Sequence, residues 1–533
     1  MVLRKFPIRF LLLTVSAILT GLCFAWYKAG FIVLFSLIPM FLVLLAEADG
    51  QSRNPLRFYG YGYYWGAVMF ATVFQWFRYQ YPLEYLGFNR LEAVGYVALS
   101  WFGSGLILSV LLALFHFFTG LFLCTSLCRV RRYLLIPFSA ACYVLIEFLF
   151  TLGSLATPWA RLAVTMQSNI FFIQTASVFG SYFISSLIVA VNASLALAVY
   201  SLITRKDRRL RIACFSVAVG IFLTNTACGA LLYAADKKAE SGEQVAVAAL
   251  QGNIISGRTR IGVQETIDLF LERSADEVRE NGASLIVMPE GCFNIDLKNS
   301  PLTEERLRDF SRENDVVIII GAYEYGDDEL YNVTWCISPD GTVSGPYRKQ
   351  HPVPFGEFTP ARKMILTLFP FLEDVTSLGD DLSAGGESVV FDSTLGRLGA
   401  FICFDSAFEN IGFEETAKGA VLLTESTNDS WWMDSAQLYE HNGHAILRAI
   451  EARRYYVRSS AAGYSTVIDA RGVILDDVPA LTAGFASANA VLRDDVSFYH
   501  KTPYLFPAVC ALTVVSLFAA ALIYKKRVKK AQF

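Results

Sequence analysis

Three stretches of this 533-residue chain deliver one reactive side chain each. "LIVMPEG" ends an apolar run on Glu290, "GPYRKQHPVPFGEF" sets Lys349 in a turn-rich segment, and "FICFDS" ends another apolar run on Cys403. A thiol attacks as its thiolate, which requires a base or a nearby positive charge. A carboxylate within hydrogen-bond reach can take the proton, and a lysine beside a developing tetrahedral oxyanion can stabilise it. In chain order, Glu290, Lys349 and Cys403 supply a base, a cation and a nucleophile for attack on a carbonyl. Each has a plainer reading when taken alone: a solvated strand end for Glu290, a surface lysine for Lys349 and a buried filler for Cys403.

The elements that must position them are legible as alternation. Strand-length apolar runs ("QVAVAAL", "SLIVMPE", "DVVIIIGAYEY", "YNVTWCISPDG", "ESVVFDS", "RLGAFICFD", "GAVLLTEST", "YYVRSSA", "STVIDARG") are interleaved with helical patterns near 263–280, 303–313 and 436–452 and a short one after 403. Such alternation predicts an α/β sandwich with its site on loops at strand ends. Only Cys292, Cys336 and Cys403 of the ten cysteines fall in this region, so no disulfide framework or paired metal motif is predicted. His351, His441 and His444 read as a turn residue and as one face of a polar helix; the last two stand at i, i+3, without a third metal ligand at suitable spacing. Trp431 and Trp432 lie in a loop, as a lid dipping into lipid or as a packed anchor.

The rest of the chain is a membrane protein's. Over all 533 residues, hydrophobic residues make up 54% and charged residues 17%, and the mean hydropathy is +0.42. A net charge of −3 gives no field that would recruit nucleic acid. Apolar runs at about 10–27, 31–47, 60–77, 94–124, 133–153, 177–203, 211–235 and 503–524 predict eight spans, the third weakened by Tyr61, Tyr63, Tyr64 and Gln75, the fourth long enough to kink. The first run lacks a cleavage site and reads as a retained anchor. Lys and Arg mark cytoplasmic loops, and they alternate: Arg4, Lys5 and Arg9; Arg53 and Arg57; Arg129, Arg131 and Arg132; Arg205, Lys206, Arg208, Arg209 and Arg211; then Lys525 to Lys530. The organisation expected is therefore a bundle of about seven spans over 1–238, an outer α/β domain over 239–497, and an eighth span with a basic tail over 498–533, both termini being cytoplasmic. Few charges lie within the spans, Glu147 being the clearest, which argues against a transport path.

"LIVMPEG", "YRKQHPVPFGEF" and "GAFICFDSAF", in that order, resemble the nitrilase superfamily. The spans narrow the resemblance to the bacterial apolipoprotein N-acyltransferase family, with further matches at "QGNI", "TPWARLAVTMQ", "STNDSWW" and "RAIEARRYYVRSSAAGYSTVIDARG". The resemblance implies an αββα sandwich, with Glu290 as general base, Lys349 as oxyanion stabiliser and Cys403 as acylated nucleophile. Glu357 in "PFGE" would orient Lys349 or form a structural ion pair. Phe404 and Asp405 depart from the Tyr and Glu that many members carry after the nucleophile, and the tryptophan expected soon after "QGN" is missing. The implied activity is N-acylation of the diacylglyceryl-cysteine of apolipoproteins from a membrane phospholipid, through a Cys thioester. It would need no metal or organic cofactor, in a monomer of the bacterial inner membrane with a periplasmic catalytic domain. The alternative is a tethered carbon-nitrogen hydrolase using the same triad.

Overall fold

A computed structural model describes residues 6–50, 54–205, 207–327, 329–368 and 381–530; Arg4, Lys5, Arg53 and Lys206 of the basic-loop pattern lie outside them. Among the described residues, seven helices are long and apolar enough to cross a membrane: Phe6–Ala25, Tyr27–Ala48, Arg90–Leu123, Arg132–Leu149, Ser181–Ile203, Arg208–Ala239 and Leu505–Lys529. The expected third span is the 19-residue helix Pro55–Val73, long enough to cross but carrying Tyr59, Tyr61, Tyr63 and Tyr64. The long fourth span, expected to tilt or kink, is interrupted by a π-helical turn, Leu99–Gly103.

Between the last two of these helices, the described residues form twelve strands: β1 (Gln244–Gln251), β2 (Leu285–Val287), β3 (Val317–Tyr325), β4 (Leu330–Ile337), β5 (Val343–Arg348), β6 (Phe391–Ser393), β7 (Gly396–Ile402), β8 (Leu422–Thr427), β9 (Tyr456–Ser460), β10 (Ser465–Ile468), β11 (Ile474–Val478) and β12 (Gly484–Val491). They form two six-stranded sheets, ordered β12-β1-β2-β3-β4-β5 and β11-β10-β9-β8-β7-β6. In each, three neighbours run parallel, β1-β2-β3 and β7-β8-β9, with antiparallel strands outside them. The period-2 rule of a strand decides what each face meets. Val247 and Ala249 of β1 and Leu398, Ala400 and Ile402 of β7 fill the space between the sheets. Ala248 and Leu250 of β1 turn instead to Ile267, Phe270 and Leu307, on the helices Val263–Asn281 and Pro301–Asn314.

The second sheet is covered by the helices Glu409–Ala417 and Ala436–Ala452, and this layer does not end at solvent. Phe401, Phe404, Ile411, Leu423, Ile446 and Ile450 belong to one hydrophobic cluster with the helical bundle's own core. Polar contacts cross the same boundary. Arg161, in the loop before the span Ser181–Ile203, pairs with Glu409, and both are buried. The Ser181 N–H donates to Glu451 at 2.7 Å, and Gln174 donates to the Arg471 carbonyl at 2.7 Å. Tyr27, beyond the end of the helix Phe6–Ala25, stacks on Tyr439 at 4.8 Å. At that helix's other end Arg9 and Arg57 hold Glu47, while Arg132 holds Asp49. Twenty residues at 1.5 Å each separate the two ends by about 30 Å, so this basic cluster and the sandwich cap opposite ends of the bundle.

Removing one partner of a buried ion pair leaves the other charge unsolvated and typically costs about 3–5 kcal/mol. Arg161→Leu is therefore expected to lower the thermal unfolding midpoint of the detergent-solubilised protein sharply, and Arg161→Leu with Glu409→Leu to recover most of the loss. An unchanged midpoint in the single variant would mean that the pair does not join the two parts.

Candidate active site

Glu290 stands three residues beyond β2, Lys349 directly follows β5 and Cys403 directly follows β7. All three leave the ends of strands on one edge of the sandwich, where the crevice of a parallel sheet opens. Lys349 is fully buried; its ammonium donates to Glu290 Oε1 at 2.9 Å and to Glu357 Oε1 at 2.6 Å. Asn332 of β4 donates to the same Glu290 oxygen at 2.6 Å, and the Val353 N–H to Glu357 Oε2 at 2.8 Å. Gly321 is demanded here, since a Cβ would lie 2.3 Å from the Pro289 carbonyl oxygen and 2.9 Å from Glu290 Cα. Lys349 itself is pinned by its backbone, its N–H on the Asn332 carbonyl and its carbonyl on the Gly385 N–H.

The electrostatics follow from burial. Burial alone would lower the Lys349 pKa, but Glu290 and Glu357 more than offset this and raise it well above the ordinary lysine value, so the ammonium persists. Burial, with a contribution from Glu290, raises Glu357 despite the opposing ammonium. Burial first, and then the Glu290 charge, raise the Cys403 thiol well above its usual range; Lys349 only partly opposes them. Cys403 is thus held as a thiol, acted on by the Glu290 carboxylate and the Lys349 ammonium.

Cys403 sits at φ +52°, in the left-handed region, and opens the short 3₁₀ turn Cys403–Ala407. Asp405 is fully buried and accepts from the Tyr347 hydroxyl at 2.8 Å, the His351 N–H at 2.9 Å and the Ile402 N–H at 3.3 Å. It thereby ties the nucleophile's turn to the segment carrying Lys349. The shorter carboxylate is a clamp between two loops. Phe404 faces the bundle, with its ring stacked on Trp159 at 5.8 Å. Trp432 packs edge-on against Trp76 at 4.4 Å and against Phe77 at 5.3 Å, and Trp431 lies by Tyr85 at 6.0 Å. Both rings are half-buried, the packed-anchor arrangement. His351 stacks on Phe408 at 3.6 Å, and His444 faces the Trp159 carbonyl at 3.1 Å.

The sequence places His441 on a polar helix face, but that helix is buried and brings His441 to Cys403. A ring nitrogen, the Cys403 sulfur and an Asp429 oxygen lie within 4.8 Å of one another, a spacing also open to a metal ion. The donors are spent on each other, however: His441 Nδ1 is 2.7 Å from Asp429 Oδ1, His441 Nε2 is 3.0 Å from the Cys403 carbonyl, and Arg458 donates to Asp429 Oδ2 at 2.6 Å. Burial would raise the Asp429 pKa, but Arg458 and His441 hold it well below the usual carboxylate range. Asn332, Asp429 and Arg458 were not singled out from the sequence, although "STNDSWW" and "YYVRSSA" contain the last two.

Comparison with known proteins places the chain among relatives. Residues 246–494 match the family model for carbon-nitrogen hydrolases, which with the αββα sandwich gives the class of this domain. Residues 16–194 match the model for the apolipoprotein N-acyltransferase N-terminal domain. Apolipoprotein N-acyltransferase 1 of Treponema pallidum is 30% identical over 380 residues, 64% of this chain and 68% of that protein. The apolipoprotein N-acyltransferase of Gloeobacter violaceus is 28% identical over 446 residues, 83% and 80%; that of Thermotoga maritima is 25% identical, covering 94% and 92%. The chain belongs to the apolipoprotein N-acyltransferase family.

Asp405→Asn keeps the shape of the clamp but turns an amide N–H toward backbone N–H donors. It is expected to destabilise the protein by about 1–3 kcal/mol and to slow modification of Cys403, both read from thermal unfolding and peptide mass spectrometry after iodoacetamide. A variant equal to wild type in both would remove Asp405 from the support of the turn.

Proposed function

We propose that this protein moves an acyl chain from a membrane phospholipid to the N-terminal α-amine of the diacylglyceryl-cysteine of apolipoproteins, by two half-reactions at Cys403. The observation that carries this reading is the cluster of buried Glu290 and Lys349 with half-buried Glu357 beside Cys403, in a sandwich whose inner helix layer is continuous with a membrane bundle. Residues 239–497 form the catalytic unit on the periplasmic side of the bacterial inner membrane, and the basic ends of the bundle, with both termini, face the cytoplasm. The protein works as a monomer.

Glu290 takes the thiol proton as sulfur attacks the ester carbonyl. The oxyanion is held by the Lys349 ammonium and the Phe404 N–H. The ester C–O bond breaks, Glu290 returns the proton to the departing lysophospholipid, and a thioester remains. The α-amine of the lipoprotein then attacks, loses a proton to Glu290, and expels the thiolate, which recovers that proton. Glu357 keeps Lys349 oriented throughout. Alternating substrates on one nucleophile give ping-pong kinetics. Both substrates are confined to one bilayer, so tethering the enzyme there raises their effective concentration.

Phospholipid alone is expected to add one acyl chain to the protein, through a bond cleaved by neutral hydroxylamine, and a diacylated lipopeptide to remove it. Cys403→Ser should abolish or greatly slow the cycle, Glu290→Gln should block acylation, and Lys349→Arg should lose on the order of 10²-fold in the chemical step. Free fatty acid without transfer to the lipopeptide would make the protein a tethered hydrolase; no lipid-dependent mass change would remove Cys403 as acyl carrier.

A further inference from the structure

The nucleophile's backbone is held from a side on which no substrate chemistry has been assigned. A non-glycine residue in the left-handed region is strained by about 1–2 kcal/mol and persists only where its surroundings fix it. At Cys403 the fixing contacts converge on its carbonyl oxygen, which faces His441 Nε2 at 3.0 Å and accepts from the Ser406 hydroxyl at 3.0 Å. The imidazole is itself immobilised. Its Nδ1 meets Asp429 Oδ1 at 2.7 Å, Asp429 is held by Arg458 at 2.6 Å, and Arg458 is anchored on Glu425 at 3.2 Å and the Tyr464 carbonyl at 2.6 Å. The Trp159 ring lies 5.1 Å from the imidazole. Asp429, His441 and Arg458 are all fully buried.

The topology explains how these groups meet. Cys403 leaves the end of β7, Asp429 follows β8 and Arg458 lies on β9, three adjacent parallel strands; His441 comes from the helix that connects the last two. Nδ1 faces Asp429 Oδ1 at 2.7 Å and Arg458 Nη2 at 2.9 Å, and Nε2 faces the Cys403 carbonyl at 3.0 Å and the Ser406 hydroxyl at 3.1 Å, so neither is left to take a proton from substrate. That separates His441 from the acid-base side of the site, which Glu290 and Lys349 occupy.

We infer that His441, oriented by Asp429 and Arg458, is a positioning residue whose ring N–H on the Cys403 carbonyl holds the nucleophile's left-handed backbone and aims its sulfur at the acyl carbon. The inference rests on the reading of Cys403 as nucleophile, and its test separates the two.

Two substitutions in the full-length, detergent-solubilised protein divide the ring's contacts. His441→Gln carries an N–H to the region of Nε2, so it can still reach the carbonyl. His441→Asn reproduces the Nδ1 side and can reach only Asp429. For each, three quantities are measured: the rate of Cys403 alkylation by iodoacetamide at fixed pH, followed on the Cys403 peptide; the rate of acylation by phosphatidylethanolamine vesicles; and the thermal midpoint. His441→Gln is expected to stay near wild type in both rates, whereas His441→Asn loses on the order of 10²-fold in acylation, the scale of a misplaced reacting group, along with a slower alkylation. This order should hold even where the Asn variant is the more stable. If Asn preserves the rates and Gln does not, or if both rates simply follow the thermal midpoint, His441 serves the Asp429 network alone and the inference falls. If the alkylation order holds while wild-type protein takes up no acyl chain, the positioning role stands and the acyltransferase reading fails.

Discussion

One buried ammonium between two carboxylates sets the terms for the rest of the site. Lys349 is sealed from water with Glu290 and Glu357 on its Nζ. Taking such charges out of water costs several kcal/mol each, and their attraction offsets this only when the geometry is held closely. The surrounding structure supplies that geometry. β4 brings Asn332 to Glu290, the turn after β5 brings the Val353 N–H to Glu357, and Gly321 lets β3 approach the Glu290 backbone. Burial first, and then the Glu290 charge, disfavour a thiolate beside this cluster, and Cys403 is held as a thiol. In the proposed cycle the displaced charge settles near Lys349 once a carbonyl is attacked, and Glu290, whose charge raises the thiol, is the group that takes its proton.

The second constraint is the join between sandwich and bundle. A soluble sandwich would cover its outer helices with polar side chains, but here Ile446, Ile450 and Phe404 continue into the bundle's core, and the charges at the boundary are buried as pairs. Phe404 is the link between the two scales: it neighbours the nucleophile and stacks on Trp159, which in turn approaches Trp76 at 6.4 Å.

The parts legible in the sequence were those in which one strand faces two apolar layers. β1, β3, β7 and β8 read as apolar runs because both their faces are buried, and Glu290 and Cys403 stood out as the polar residues ending such runs. Lys349 looked like part of a turn because Gly345 and Pro346 interrupt β5, an edge strand that tolerates proline. β12 was missed: its sequence "GFASANAV" has little intrinsic strand preference, and full antiparallel pairing with β1 defines it. The tyrosines of Pro55–Val73 weakened the third span for a similar reason, since Tyr61 is buried against neighbouring helices where composition alone counts it as polar. The role of Asp405 and the approach of His441 depend on contacts between residues 38 to 58 positions apart, which no local pattern encodes.

The state of the resting thiol is the most direct test of this picture. Infrared difference spectra of wild-type protein minus Cys403→Ser, at neutral pH in lipid nanodiscs free of acyl donor, should contain an S–H stretching band that disappears once a phospholipid donor is supplied. Absence of that band at rest would mean a thiolate already paired with Lys349, and would contradict a site in which Glu290 removes the proton only as the carbonyl is attacked.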